Sequence, residues 1–223
     1  VQDNARSLRT GLRTMFGIIA VVFIPVFFTI AVVAGTFMRA VYGERWVGGE
    51  VVLTPLALAM PAVLMMGLST PILWTSGNVK QEFRLQIPIA ILWTVVLVVV
   101  SRSESLAVLS WSIFALYYVR AAVIVGATIR AVRLPVTEVL DLLAPGLLVA
   151  SGVMAAAVGV DRGLASVLPD APVRLLAIVA ASAIALIVML RLVRGLLSGE
   201  VIEMVLRLSD RLPGLARSLV RSL

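Results

Sequence analysis

The stretch SIFALYYVRAAVIVGATIRAV, from Ser112 to Val132, places one arginine, Arg120, in the middle of an apolar run. The whole run extends from Leu106 to Ile129, within the range of about 17–25 residues that a helix needs to cross a bilayer. A backbone inside lipid must satisfy its own hydrogen bonds, and an α-helix does so within one segment. The stretch therefore predicts a transmembrane helix with a charge in its interior.

Composition extends this conclusion to the whole chain. Its 223 residues are 61% hydrophobic and 14% charged, whereas soluble domains have about 45–50% apolar and 25% charged residues. The sequence contains no cysteine and no histidine, so it has no thiolate nucleophile and lacks the commonest metal ligand and general base. We therefore expect a membrane protein that is not an enzyme and that has no catalytic residue, no metal site and no cofactor.

Five further apolar runs of similar length alternate with short charged connections. The six runs predict an all-α fold, a polytopic membrane bundle with six transmembrane helices whose successive members are antiparallel neighbours. Their expected limits are Met15–Met38, Val51–Trp74, Leu85–Ser101, Leu106–Ile129, Leu142–Val160 and Val173–Leu190, with Arg174 snorkelling at the edge of the last.

The ends of the chain are expected to lie outside the bundle. Residues 1–14 form a basic cytoplasmic segment, residues 15–197 the transmembrane domain, and residues 198–223 a cytoplasmic tail. In the tail, charged residues at helical spacing (Glu200, Glu203, Arg207 and Asp210) oppose an apolar face (Val201, Val205, Leu208 and Leu212). This pattern predicts a C-terminal amphipathic helix lying at the membrane interface, with a short solvated helix as the alternative.

The distribution of cations predicts orientation. Alternate loops divide the 19 Lys and Arg unevenly: Arg39, Arg45, Arg102, Arg162 and Arg174 fall on one side, Arg120 lies within the membrane, and the rest fall on the other. By the positive-inside rule, both termini are expected in the cytoplasm of a bacterial or archaeal cell, with the bundle in the cell (inner) membrane. The net charge of +7 then reports membrane topology, and no nucleic-acid partner is needed to explain it.

Prolines and small residues mark particular helices. Proline inside a helix removes a backbone donor and predicts a kink, which either bends between states or only improves packing; such prolines are Pro25, Pro55, Pro61, Pro71, Pro88 and Pro145. The fifth run contains LLVASGVMAAAVGV, in which Ala150, Gly152 and Ala155–Ala157 predict close approach of a neighbouring helix.

Several features in order resemble a known family. The opening VQDNARSLRTGLRT is followed by a helix that ends in YGERW (residues 42–46), and then by TPLALAMPAVLMMGLSTPIL and a short loop with Gly77 and Arg84. Nearly the whole chain is similar in this way to the C-terminal half of the polysaccharide, or lipid-linked oligosaccharide, flippases of the multidrug/oligosaccharidyl-lipid/polysaccharide exporter superfamily. Asn78 stands where that family often has a basic residue.

The resemblance implies a transporter. The six helices would be the last six of a fourteen-helix protein, so a missing N-terminal lobe or a second subunit would complete it. In such proteins two lobes rock about a central cationic cavity, and the activity implied is movement of a polyprenyl-diphosphate-linked oligosaccharide from the cytoplasmic to the outer leaflet. The partners implied are the lipid bilayer and this lipid-linked glycan. The chain also starts without an initiator Met or a signal-peptide pattern, so we expect it to begin inside a longer polypeptide.

Two other classes of function compete with this one. A multidrug or other exporter of the same superfamily would have the same helices, but no carboxylate is expected inside a helix core to couple protons or sodium. A membrane scaffold or glycan-processing enzyme would, if catalytic, need paired acids near one membrane face. The acids expected on the outer side alternate with arginines and are interpreted as solvated loop charges: Glu44, Glu50, Glu104, Asp161 and Asp170.

Arg120 is the main candidate for a functional residue. About 15 Å of helix separates it from Arg130 near the expected cytoplasmic surface, and an arginine side chain reaches only roughly 6–7 Å. Such a charge needs a partner or a water-filled space. Either Asp141 of the fifth run makes an internal ion pair with it, or Arg120 and nearby Tyr117 bind the substrate, with the guanidinium on the diphosphate. Ser110 and Thr128 lie on the same side of the helix.

Cysteine labelling tests the predicted orientation. Because the chain has no native cysteine, each variant carries a single thiol. In intact cells we expect Gly77→Cys and Ser218→Cys to be protected from a membrane-impermeant thiol reagent, and Gly48→Cys and Leu164→Cys to be labelled. Labelling of Gly77→Cys would reverse the orientation.

Overall fold

The computed structural model describes residues 2–168, 170–193 and 195, without the side chains of residues 2–6. Those residues are helical apart from short connections, with no strand among them. Six helices are long and apolar enough to cross a membrane, as the six apolar runs predict. The amphipathic helix expected at 198–223 lies outside the described residues.

The first span consists of several segments, and the other five are single helices. Helix α1 (Gln2–Ile18), a π-helical turn (Ile19–Phe23), α2 (Ile24–Val32) and α3 (Ala34–Tyr42) follow one another with little interruption. They precede α4 (Glu50–Thr75), α5 (Val79–Ser101), α6 (Leu106–Ala131), α7 (Val136–Leu164) and α8 (Ala171–Val193). Residues of the basic segment 1–14 are thus already helical from Gln2 onward.

The helices extend beyond the apolar runs at their polar ends. Helix α5 begins at Val79 rather than Leu85, and α7 runs from Val136 to Leu164 rather than from Leu142 to Val160. Glu82, Asp141 and Asp161 consequently stand on helices rather than in loops. Helix formation depends on backbone hydrogen bonding, which continues past the point where the side chains become polar.

The bundle has two ends, which we name by their sequence features. The basic end holds the start of α1 and the loops 76–78 and 132–135. The turn end holds the YGERW turn, the loop 102–105 and residues 165–168 after α7. Gly43 of the YGERW turn has φ 81° and ψ 178°, a conformation that only glycine adopts readily. The chain can therefore leave α3 sharply and turn back into α4.

Pro25 coincides with a change in helical hydrogen bonding. The N–H of Ile24 bonds to the carbonyl of Ile19, five residues earlier, so the turn before Pro25 is a π-turn. In this register Pro25 would be the donor to the carbonyl of Ala20, but proline has no N–H. Pro25 instead occupies the first turn of α2, where its missing donor costs least. The expected irregularity at Pro25 is therefore present as a π-turn.

Helix α7 packs directly against this π-turn. A Cβ on Gly146 would overlap the carbonyl group and the Cβ of Ala20, so only glycine fits. Further along α7, Ala150 and Ala157 are buried, and Gly152 faces the side chain of Met189 in α8. The predicted close approach is confirmed for α7, with Ala155 as the exception because it is exposed.

Hydroxyl groups join neighbouring helices through backbone carbonyls. Tyr118 of α6 donates to the Leu58 carbonyl of α4 at 3.0 Å, and Thr128 to the Ser69 carbonyl at 3.3 Å. From the first bond to the second, the residue numbers increase on both α6 and α4, so the two helices run parallel. Thr54 similarly donates to the Ala31 carbonyl at 3.1 Å. Such bonds contribute about 0.6 kcal/mol each in membrane bundles.

The expectation that successive helices are neighbours holds only in part. Helices α5 and α6 pack together, as do α7 and α8, but α6 and α7 have no extensive contact despite their short loop. The most extensive packing joins the parallel helices α4 and α6, and α7 packs on α2 and α8. The main buried core lies between α1, the π-turn, α2 and α7.

The contact of Gly146 with Ala20 predicts a selective effect of alanine. We expect Gly146→Ala to destabilise the protein by about 2 kcal/mol, because its methyl group meets rigid backbone, which lowers the unfolding temperature in detergent by about 4–8 °C. Gly152→Ala is the matched control, since its methyl group meets the flexible end of Met189 and a rotamer change relieves the contact. Equal unfolding temperatures for the two variants would contradict this packing.

Candidate functional site

Tyr117 and, one turn later, Arg120 lie on the side of α6 that faces α5. Tyr117 packs edge-on against Trp93 of α5, with ring centroids 5.0 Å apart. Ile124, one turn after Arg120, is fully buried in a cluster with Leu73 of α4 and with residues of α5. Helical spacing puts Arg120 between this cluster and the aromatic pair. Tyr117 and Arg120 thus lie on one side of α6, and Trp93 of α5 contacts Tyr117.

Two donors at this site have no partner. The Nε of Arg120 and the Nε1 of Trp93 are both buried and make no hydrogen bond. Both groups are donors only, so each can be satisfied only by an acceptor. An unpaired polar group in an apolar environment costs about 1–3 kcal/mol. Each of these two donors would suit an oxygen of an anion, whereas neither would suit a cation.

The ion pair between Arg120 and Asp141 is not formed in this structure. Asp141 is exposed on α7, and no salt bridge joins it to Arg120. The physical reason is the packing: α7 lies against α2 and α8 rather than along α6. Ser110 and Thr128 are also engaged elsewhere, because both are buried and their hydroxyls donate to backbone carbonyls.

Glu138, rather than Asp141, connects α7 to a cation. Its two carboxylate oxygens accept from Arg9 at 2.7 Å and from Arg13 at 2.9 Å, both on α1. All three side chains are partly exposed at the basic end, where water screens their attraction. This bidentate arrangement fixes the start of α7 on the first span.

A second ion pair lies at the turn end. Arg174 of α8 meets Asp161 of α7 at 3.1 Å, and Thr36 of α3 donates to Asp161 at 2.7 Å while accepting from Arg174 at 3.1 Å. Only 11% of the Arg174 side chain and 24% of the Asp161 side chain are exposed. The interpretation of Asp161 as a solvated loop charge, and of Arg174 as snorkelling, is therefore wrong: each has the other as a buried partner.

Glu82 is a buried carboxylate that sequence reasoning missed. It lies in the first turn of α5 and is 6% exposed. Trp74 of α4 donates its indole N–H to one oxygen, and Gln86 donates to the other at 3.4 Å. No carboxylate was expected inside a helix because the apolar run starts only at Leu85. The signal available in the sequence was the spacing of Glu82 and Gln86 on one helical face.

Other chemistry is limited at these sites. Within the described residues, no group of three or more Asp and Glu is placed to hold a metal ion. Asp161 and Glu138 are committed to arginines, and Glu82 to Trp74 and Gln86. Arg120 and Trp93 therefore offer donors to an acceptor group.

Comparison with known proteins bears on the first span. Residues 1–49 match the model of a family described as "Polysaccharide biosynthesis protein". The matched part runs from α1 through the YGERW turn to the start of α4 and is about a fifth of the chain. No curated protein and no solved structure matches. The similarity of this span supports a role in polysaccharide biosynthesis or export.

Arg120 and Arg174 provide a matched pair for a stability test. We expect Arg120→Met to keep or raise the unfolding temperature in detergent, because it removes a buried donor that has no partner. Arg174→Met should destabilise by on the order of 2 kcal/mol, because it leaves Asp161 partly buried without its cation.

Asp141→Ala completes this comparison. With no ion pair to lose, it should leave the unfolding temperature and the folded yield unchanged. If Arg120→Met and Asp141→Ala each destabilised the protein and the double variant recovered stability, an ion pair between them would be indicated instead.

Proposed function

We propose that this chain is the membrane-embedded part of a transporter that moves a polyprenyl-diphosphate-linked oligosaccharide from the cytoplasmic to the outer leaflet. The observation that carries the proposal is the similarity of residues 1–49 to a polysaccharide biosynthesis family. That similarity falls on the first of six helices with the length and composition of membrane spans. A polysaccharide biosynthesis protein of this kind has to handle a glycan at the bilayer.

In this proposal Arg120 binds the diphosphate. A guanidinium presents its donors in a planar fork that matches two phosphate oxygens, and such charge-assisted bonds are stronger than neutral ones. Trp93 supplies a second donor, and Tyr117 holds the indole ring by edge-on packing. Binding satisfies donors that make no hydrogen bond among the described residues, so the substrate-bound state is favoured over the empty one. Release of the substrate leaves these donors unpaired again and costs the same free energy. The transporter does no covalent chemistry.

The proposed orientation places the basic end in the cytoplasm. Arg9 and Arg13 of α1 lie at this end, and the loops and helix ends there contribute Lys80, Arg84, Arg130 and Arg133. Cations near the ends of membrane helices favour the cytoplasmic side. The host membrane would be the inner membrane of a bacterial or archaeal cell, with both termini inside.

The proposal also requires a partner for α5. This helix is the least buried of the six candidate spans, with 6% of its most apolar window buried. Its exposed side chains are large and apolar, including Phe83, Ile87, Ile91 and Val95. Arg120 lies on α6, which packs against α5. A missing N-terminal lobe or a second subunit would cover this face and complete the cavity between two lobes.

Transport by the chain together with its partner lobe tests the assignment. We expect Arg120→Ala to reach the membrane at the normal level and to reduce export of the glycan at least about tenfold, the loss of one charge-assisted hydrogen bond. Arg120→Lys should recover transport only in part, because an ammonium cannot form the planar fork. Export of surface polysaccharide in a strain without its own flippase is the measurement.

Two controls accompany this test. Asp141→Ala should export normally, because Asp141 is exposed on α7 and makes no salt bridge with Arg120. The 223-residue chain without a partner lobe should insert but not transport. Normal membrane levels and full export for Arg120→Ala would refute the proposed role of Arg120, and complementation by the chain alone would refute the need for a second lobe.

A further inference from the structure

A large cavity lies on the side of α6 that faces α7. Its volume is about 540 Å³, and its walls come from α2, α4, α6 and α7. Helices α6 and α7 are consecutive in the chain but do not pack along their length. Residues of α2 and α4, among them Phe28 and Met65, form the floor of the resulting cleft. Pockets of about 300–1,000 Å³ are typical of ligand sites.

The cleft is lined almost wholly by apolar side chains. Tyr118 is the one lining residue with a polar side-chain atom, and its hydroxyl already donates to the Leu58 carbonyl. Water in such a space would lack the two to four polar partners that it needs. The chemistry of the walls therefore favours an apolar occupant.

A second pocket adjoins the cleft across α6. It has a volume of about 340 Å³ and contains Gln81 of α5 and Arg130 of α6. Ala122 and Gly126, one turn apart on α6, line both spaces. Because these residues carry one methyl group or none, little side-chain material separates the apolar cleft from the polar pocket.

Arg130 is placed to receive an anion in the polar pocket. Its side chain is exposed, and none of the described carboxylates pairs with it. Gln81 adds an amide whose N–H groups donate as well. The two spaces together thus have the polarity of a lipid with a charged head: an apolar cleft that shares Ala122 and Gly126 with an adjoining cationic pocket at the basic end.

We propose that the cleft and the pocket form a docking site for a polyprenyl phosphate lipid, with the isoprenoid chain between α6 and α7 and the phosphate on Arg130. This inference rests on the proposed function and assigns the lipid part of the substrate to particular residues. Arg130 lies ten residues beyond Arg120, about 15 Å along the helix. The two arginines therefore mark separate positions: Arg130 lies at the basic end, where the lipid docks, and Arg120 lies deeper in the bundle.

Gly126 allows the cleft to be filled without disturbing the fold. A Cβ at Gly126 meets no atom within 4 Å, so a larger side chain there projects into open space. Gly159 of α7 offers the same open space but does not line the cleft. Gly126→Leu and Gly159→Leu are thus a matched pair, and unfolding temperature in detergent verifies that both remain folded.

Lipid binding to the purified chain in detergent tests the site. The probes are a long-chain polyprenyl monophosphate, the corresponding polyprenol, phosphatidylglycerol and inorganic phosphate, and the readout is the dissociation constant from native mass spectrometry. We expect Gly126→Leu to weaken polyprenyl monophosphate binding at least about tenfold and Gly159→Leu to leave it unchanged. Arg130→Gln should weaken the phosphate lipid about fivefold and leave the polyprenol unchanged, since only the phosphate meets Arg130.

The other outcomes identify what would be wrong. Unchanged binding in both Gly126→Leu and Arg130→Gln would remove the docking site. Phosphatidylglycerol binding as tightly as the polyprenyl lipid, or inorganic phosphate competing with it fully, would overturn the choice of occupant. Unchanged lipid binding in Gly126→Leu together with lost export in Arg120→Ala would remove this site and leave the transport proposal standing. Lipid binding that depends on Gly126, with normal export in Arg120→Ala, would support the docking site and refute the proposed role of Arg120 in transport.

Discussion

The packing of Gly146 on the carbonyl of Ala20 is the contact on which the rest of the bundle depends. Pro25 sets it up, because the π-turn before it presents a carbonyl that the proline cannot satisfy with an N–H. Once α7 is seated there, its two ends fall beside the two ends of the first span. Glu138 then reaches Arg9 and Arg13 at the basic end, and Asp161 reaches Thr36 at the turn end. The same placement draws α7 away from α6, which leaves the apolar cleft between them.

Arginines in this bundle fall into two groups that differ in their partners. Arg174 is more deeply buried than most charges, but a carboxylate and a hydroxyl satisfy it, so its desolvation is offset locally. Among the described residues, no carboxylate makes a salt bridge with Arg120, whereas the Nε atoms of both arginines lack a hydrogen bond. A stabilising role explains the first arrangement and fails to explain the second. This contrast within one bundle is the physical reason for assigning ligand binding to Arg120, and burial alone would not distinguish the two residues.

Helix α6 connects the two proposed binding regions because its faces have different chemistry. One side carries Tyr117 and Arg120 toward α4 and α5, and the other carries Ala122 and Gly126 toward the cleft. Parallel packing on α4, with Tyr118 and Thr128 bonded to its backbone, holds α6 in a fixed rotation. Any rotation that opened one region would alter the other, so α6 is the element through which lipid docking and head-group binding would be coupled.

Much of the architecture follows from the sequence alone, since the thickness of a bilayer requires apolar helices of a certain length and the chain contains six such runs. The small residues of α7 also predicted close packing, and the isolated position of Arg120 in an apolar run indicated an unusual residue. The partners of charged residues were not predictable in the same way. Asp141 was expected near Arg120 because a short loop joins their helices, but α7 packs on the first span instead. Asp161 and Arg174 pair because α7 also packs on α8. Helical periodicity determines which residues share a face of one helix. The choice of neighbouring helix depends instead on shape, and here it depends on Gly146, where the lack of a side chain lets α7 contact the Ala20 backbone. Only the tertiary structure therefore decided which charges are paired, that Glu82 is buried under Trp74, and that a cleft opens between α6 and α7.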